Sequence, residues 1–565
     1  MLTLITILLF IGSSTSEENP VVQTAYGKVR GKVLKSYDNK DFYAFQGIPF
    51  AEPPVGNLRF QPPQPPKSWE GIIDSENDNK ACIQGVTSLA PDEGEDCLYL
   101  KVYTPYLPNE KENKTLPVMI YIHGGAFVMG SGTINFFKPY KIMDHDVIMV
   151  AVQYRLGFFG FLSTEDLECP GNNGFKDQQF AIRWVKENIK NFGGDPSRIT
   201  ISGESAGAVS VGYHLLSSNS KGLFRGAIQA SGSPLGTWSL QRDPRGYAYQ
   251  VANYIEPNIN QMTTTTKELI EWFRTVDVME IKKACADIFG EDNFESFLKT
   301  FRGFVFSGVI EPEHDGAFLT KSAFVKFESG DFNVVPTLIG ITSEESVYFV
   351  ADNNFDIFDE VRKDYDVHPD IMVSPDMHII DRDLKRKVGE EIRRFYVGDG
   401  LLQNNLGPAM KLMSDAGFGR PQTKQAQLEA KYTDVYFYMF GYDGKVGRHD
   451  RPKLHIPGAE SVGHADDLEY IFVQEKKDLE KFPEQDRITA DRYVLLWTNF
   501  VKYLNPTPEP TPLLQNVIWP KISSSSFPYL LINETLEVKY DLKKPMRDEY
   551  ARLYNLYAVP PLDTY

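Results

Sequence analysis

Three stretches in the first half of the chain, LPVMIYIHGG, DVIMVAVQYR and RITISG, are short, apolar and rich in β-branched residues. Each reads as a strand that is apolar on both faces, as strands buried in a parallel sheet are. Between the second and third lies DQQFAIRWVKENIKNF, where Phe180, Ala181, Trp184, Val185 and Ile189 recur at helical spacing. Strand, helix, strand in this order predicts a doubly wound α/β sheet. A further helix follows Gly203 to Gly207. From about 250 to 330 the pattern is mixed and mainly helical, with TKELIEWFRTVDVMEIKKACADI its clearest helix, and this region reads as an insertion packed over the sheet. Strand signals return at VVPTLIGIT and VYFYMF, and helices close the chain around RYVLLWTNFVKYL and DEYARLYNLY. No repeat and no Gly/Ser-rich linker divides it, so one continuous domain over 17–565 is expected.

Composition adds exclusions. The 565 residues are 42% hydrophobic and 24% charged, an ordinary globular balance, with a net charge of −17. An acidic surface repels phosphate backbones and anionic membranes, so neither is an expected partner. The first residues, MLTLITILLFIGSSTSEE, carry an apolar run too short to span a bilayer, followed by small residues. Residues 1–16 therefore read as a secretory signal peptide, with export the expected fate. The four cysteines suit that compartment. Bridging Cys82 to Cys97 would close a loop of about 15 residues, worth about 3 kcal/mol in a chain-entropy account. The spacing of Cys169 and Cys285 does not demand a bridge. No Cys/His cluster suggests zinc, and no cofactor is expected. Asn113 and Asn533 head sequons that a secreted chain would glycosylate.

The stretch ITISGESAGAVSVGYHLLS concentrates the chemistry. Gly203-Glu204-Ser205-Ala206-Gly207 matches G-x-S-x-G, the sharp strand-to-helix turn that holds a serine hydroxyl exposed at the carboxyl edge of a sheet. The strand before it and the helix after it are the context this motif requires. Upstream, a strand ends in His123-Gly124-Gly125, whose Gly124 and Gly125 N–H groups, with that of Ala206, are the natural oxyanion donors. The base is expected after the acid in chain order. His464, in the glycine-containing loop of ESVGHADDLEYIF, is favoured over His449 and His455. His214 lies on the helix behind Ser205. Glu344 and Glu345, just past a strand, both suit the acid that orients the imidazole. Local pattern does not choose between them, and one of the two is expected to be a solvated surface charge.

Taken together, FQGIPFAEPPVGNLRFQPPQP, EDCLYLKVYTP, IYIHGGAF, GNNGFKDQQFAIRWVKENIKNFGGDPSRITISGESAGA and QASGSPLGTW closely resemble the landmarks of the type-B carboxylesterases, relatives of the cholinesterases. They stand in that family's order from about Tyr26 to Trp497. The resemblance implies an α/β-hydrolase fold: a large, mostly parallel twisted sheet flanked by helices, with helical insertions over the active site. It places the acid at Glu345, with Ser346 where the family usually has Gly, and the base at His464. It makes Cys82–Cys97 the family's first disulfide and Trp238 an acyl-pocket residue.

The implied activity is serine carboxylesterase chemistry on small to medium hydrophobic esters, without metal or cofactor. The short segment between Cys82 and Cys97 has no aromatic residue, unlike the choline-stacking loop of cholinesterases. The chain looks most like secreted insect carboxylesterases. A juvenile hormone esterase, a lipase, and a slow ligand-sequestering or adhesion-type member of the fold are the alternative readings. The first of these usually carries Gln where this chain has Glu204.

Overall fold

The apolar stretches form the centre of a large sheet, where their apolar side chains are closed to water. The structure is a computed structural model and describes residues 19–565 except 79, 86–91, 109–113, 291–302, 352–354, 448–455 and 473–478. Among the described residues the main sheet has 11 strands. They are β1 (Lys32–Lys35), β2 (Asp41–Pro49), β3 (Tyr99–Thr104), β4 (Leu116–Ile122), β5 (Ile148–Val152), β6 (Gly194–Glu204), β7 (Gly226–Ala230), β8 (Thr337–Thr342), β9 (Val435–Phe440), β10 (Pro528–Ile532) and β11 (Leu536–Tyr540). Every residue of β4, β5, β7 and β8 is buried, as strands covered on both faces must be.

The spatial order is β1-β2-β3-β5-β4-β6-β7-β8-β9-β10-β11. Pairing is parallel from β5 through β10 and antiparallel at both ends. The order reverses at β4, which lies between β5 and β6. Loops leaving the carboxyl ends of parallel strands share one edge, and a reversal opens a crevice there. Ile122 pairs with Gly203, Glu204 with Ala230, and Thr342 with Phe440. The segments after β4, β6, β7 and β8 are thereby brought to one edge despite lying far apart in the chain.

The helix read from DQQFAIRWVKENIKNF begins earlier, as α1 (Asn173–Asn188), and ends in a 3-10 turn over Ile189–Phe192. Arg155 fastens it to the end of β5. Its backbone N–H, Nε and Nη2 all donate to the buried Asp177 carboxylate, at 3.1, 2.8 and 2.7 Å. The helix after the G-x-S-x-G turn is α2 (Ala206–Leu216).

The sequence reading fails over TKELIEWFRTVDVMEIKKACADI. This stretch forms two helices, Thr266–Phe273 and Val278–Phe289. The Asp277 side chain accepts the Met279 N–H and starts the second one afresh. Thr265 and Glu268 form a reciprocal cap on the first.

Cys82 and Cys97 are bonded to each other, while Cys169 and Cys285 are buried free thiols. Asn533 is half-buried in the turn between β10 and β11. Asn113 and residues 1–16 lie outside the described residues. No described helix is long and apolar enough to cross a membrane.

Candidate active site

Ser205 joins β6 to α2 with φ 57° and ψ −126°, a conformation L-residues avoid. Such a residue costs about 1–3 kcal/mol and persists only where its surroundings enforce it. Here its N–H donates to Ala230 O at 2.9 Å and its carbonyl accepts the Val209 N–H at 3.0 Å. The flanking glycines are required by contact. A Cβ on Gly207 would stand 2.1 Å from Ile122 O, and one on Gly203 would stand 2.4 Å from the Gly207 carbonyl carbon. The turn therefore packs against β4 so tightly that Ser205 is the side chain left pointing outward, part-exposed between buried neighbours.

The chain leaving β4 folds back beside it. Gly125, Ala126 and Phe127 all have positive φ, of 106°, 52° and 62°. Gly124 approaches so closely that a Cβ there would lie 3.0 Å from Ser205 Cβ. Among the described residues, the N–H groups of Gly124, Gly125 and Ala206 donate to no protein acceptor. His123 is buried beneath, with its ring stacked on Tyr154 at 4.5 Å and its carbonyl taking the Tyr154 hydroxyl at 2.8 Å. Burial pushes its pKa down to about 4.

A cavity of about 90 Å³ opens onto Ser205, lined also by Gly125, Ala126, Glu204 and His464. Trp238, Phe304, Phe349 and Phe418 supply much of its apolar wall. Trp238 is buried and its Nε1–H donates to Gly417 O at 2.8 Å, which fixes the ring's orientation.

His464 reaches this cavity from the loop after residue 460. Its Nδ1 lies 2.7 Å from Glu345 Oε2, and its backbone N–H donates to Glu345 O at 3.1 Å. Because an ionised carboxylate only accepts, the proton belongs on Nδ1. Glu345 Oε1 meanwhile accepts from Ser231 Oγ at 2.7 Å and from the Thr342 N–H at 2.8 Å. On the other side of the imidazole, Nε2 lies 3.2 Å from Glu204 Oε1. Burial lowers the His464 pKa, but Glu204 first, then Glu345 and Asp467, outweigh it and hold the pKa above 6.5.

Glu344 and Glu345 are thus distinguished by geometry, and the expectation that one is a solvated charge is wrong. Glu344 is 1% exposed and Glu345 2%. Burial pushes the Glu344 carboxyl up to about 7. His214 faces the core, between Gln178 and Ser220. His449 and His455 lie outside the described residues.

Several groups at the site carried no role in the sequence reading. Glu204 entered only as the neighbour of Ser205 at which juvenile hormone esterases usually carry Gln, with no role in the chemistry. Ser231 lies in the QASGSP stretch and Asp467 three residues past His464. Phe304, Phe349 and Phe418 were three aromatics among many. No group of three or more His, Cys, Asp or Glu that would suit a metal ion occurs among the described residues.

The profile of the carboxylesterase family matches residues 18–550. The chain is 35% identical over 451 residues to a carboxylic ester hydrolase of Bombus ignitus, which covers 77% of this chain and 78% of that protein. It is 31% identical over 545 residues to a juvenile hormone esterase of Tribolium castaneum, covering 89% and 85%. Among solved structures, juvenile hormone esterase from Manduca sexta, with OTFP covalently attached, matches with a TM-score of 0.81 at 25% identity, over 95% of this chain and 100% of that one.

Proposed function

The chain belongs to the carboxylesterase family and is a carboxylic ester hydrolase, and on that premise we propose that it is a secreted serine esterase working through an acyl-enzyme on Ser205. The observation that carries the reading is the Glu345–His464 pair at 2.7 Å, on the same cavity as a serine held at positive φ. His464 Nε2 takes the Ser205 hydroxyl proton as the oxygen attacks the ester carbonyl. Glu345 keeps the Nδ1 tautomer and stabilises the imidazolium that forms. The N–H groups of Gly124, Gly125 and Ala206 receive the developing oxyanion. The imidazolium then protonates the departing alcohol. A water activated by the same His464 releases the acid. Secretion is supported by the apolar N-terminus and by the disulfide.

The acyl side of the cavity supports a substrate class. The whole cavity is about 90 Å³, with Trp238, Phe304 and Phe418 on its wall, and it suits a short acyl chain. Across a p-nitrophenyl ester series we expect kcat/KM to peak at two to four acyl carbons and to fall at least about tenfold by ten carbons. A peak at ten or more carbons, sharpened on emulsified substrate, would indicate a lipase instead. Juvenile hormone belongs in the same panel, because two of the relatives are juvenile hormone esterases.

Glu204 sets the working pH. Its charge beside Nε2 favours the imidazolium, which cannot act as the base. Glu204→Gln is therefore expected to move the acidic limb of the kcat/KM profile to lower pH. An unmoved or raised limb would show that Glu204 does not tune His464.

The reading as a whole is tested by mixing the protein with a reactive phosphonate ester and locating the adduct by mass spectrometry. One equivalent on Ser205 with loss of esterase activity is expected. Full activity after labelling elsewhere would remove Ser205 from the mechanism.

A further inference from the structure

Glu344 stands one residue before the acid, yet it is not among the residues lining the cavity. Its carboxyl group instead joins three segments that each build the site. Oε1 accepts the Ser414 hydroxyl proton, and Ser414 Oγ in turn accepts the Ser346 N–H at 3.0 Å. Oε2 receives the Glu460 N–H at 3.4 Å, and the Glu344 backbone N–H donates to Val462 O at 2.9 Å. One side chain is thus tied to the acid loop, to the loop that carries His464, and to Ser414.

Ser414 ends the helix Leu406–Ser414, and a π-turn over Asp415–Gly419 follows at once. Widened turns of this type concentrate at functional sites because they re-aim side chains. This one carries Phe418, whose ring lies 4.7 Å from His464 and 5.8 Å from Trp238. It also carries Gly417, whose carbonyl holds the Trp238 indole at 2.8 Å. The segments that carry the base, the acid and Phe418 all meet at the Glu344–Ser414 contact.

Burying a carboxyl group is unfavourable unless its hydrogen bonds are made, and an apolar residue of similar size would fill the space more cheaply. Glu344, Ser414 and Ser346 are exposed by 1%, 2% and 0%. What a carboxyl group supplies that an apolar residue cannot is two acceptors facing two segments at once. Lys543, paired with Asp415 at 2.6 Å, stands near and offsets part of the burial penalty.

We propose that Glu344 is a positioning residue for ester hydrolysis, holding the Glu345–His464 pair and Phe418 in register through Ser414 and the Glu460 backbone. The proposal rests on the reading of Glu345 and His464 as acid and base.

The test compares Glu344→Ala, Glu344→Gln and Ser414→Ala on p-nitrophenyl butyrate. Rates are normalised to sites titrated by a phosphonate, so that misfolded protein is not counted. A displacement near 1 Å at a reacting group costs on the order of 10²-fold. Glu344→Ala is expected to lower kcat per titrated site by about 10- to 100-fold, with KM within about threefold. Ser414→Ala should fall in the same range, and the double variant no further than either alone, because the two act as one unit. Glu344→Gln keeps an oxygen for the Ser414 hydroxyl but turns its NH2 toward the Glu460 N–H, so it should recover only part of the lost rate. A merely structural role predicts the reverse: lowered melting temperature with unchanged kcat per titrated site, in Glu344→Ala or, if that variant does not fold, in Ser414→Ala. That result, or a change confined to KM, overturns the proposal. Failure of the underlying reading is read separately, because Glu345→Gln would then keep its full rate.

Discussion

Ser205→Ala is expected to lower kcat/KM on a p-nitrophenyl ester by at least about 10⁴-fold and to abolish the initial burst of nitrophenol. The size of the loss follows from what remains. The N–H groups of Gly124, Gly125 and Ala206 would still face the carbonyl, and groups of that kind alone sustain a residual rate about 10³- to 10⁴-fold over water. Turnover should therefore fall to that residue and no lower. Methyl in place of hydroxymethyl leaves the turn itself intact, because the backbone of residue 205 is held by Ala230 and Val209. The thermal midpoint should stay the same or rise slightly, since a strained turn is retained and a polar group is lost. A variant with near-native turnover would sink the acyl-enzyme reading outright and move the hydrolysis to another group.

Glu345→Gln is expected to cost on the order of 10⁴-fold in kcat. Ser231 Oγ and the Thr342 N–H both donate to Oε1, at 2.7 and 2.8 Å. They would pin the new amide oxygen in that place and turn its NH2 toward His464. Two donors cannot face each other, so the imidazole would give up its Nδ1 proton and carry it on Nε2. That proton would point at Glu204 Oε1, 3.2 Å away. The base would then be in the wrong tautomer with its lone pair facing away from Ser205. The neighbouring substitution, Glu344→Gln, does not touch the His464 tautomer, and a comparison of the two separates an orienting acid from a positioning group one residue away. Steady-state rates near pH 8, with intact folding checked by circular dichroism, decide it. A loss smaller than about tenfold for Glu345→Gln would remove Glu345 from the proposed triad.

The two glutamates also mark where sequence reading stopped. The run Ser343-Glu344-Glu345-Ser346 contains no periodicity, and both carboxylates follow the same buried strand. Placing the acid at Glu345 rested on a family resemblance, not on spacing. Neither the burial of Glu344 nor its bond to Ser414 had any local signature, since Ser414 lies 70 residues away. The insertion was misread for a different reason. An apolar pattern continuous through residue 277 looks like one helix, but the Asp277 side chain competes for backbone N–H groups and restarts it.

What the sequence determined by itself was local. Runs of buried β-branched residues made β4, β5 and β6, because such side chains fit a pleated surface closed to water. Glycines at 203 and 207 made a turn sharp enough to expose Ser205, because any Cβ there meets backbone within about 2.5 Å. Tertiary structure decided what depends on distance across the fold. The parallel register of β4, β6, β7 and β8 brings residues 124, 205, 231 and 345 to one edge, and the loop beyond 460 then sets His464 between Glu345 and Glu204. Which carboxylate meets Nδ1, which meets Nε2, and which is buried as a clamp are set by separations of a few ångströms between residues 70 or more positions apart. No pattern within one segment can carry that information.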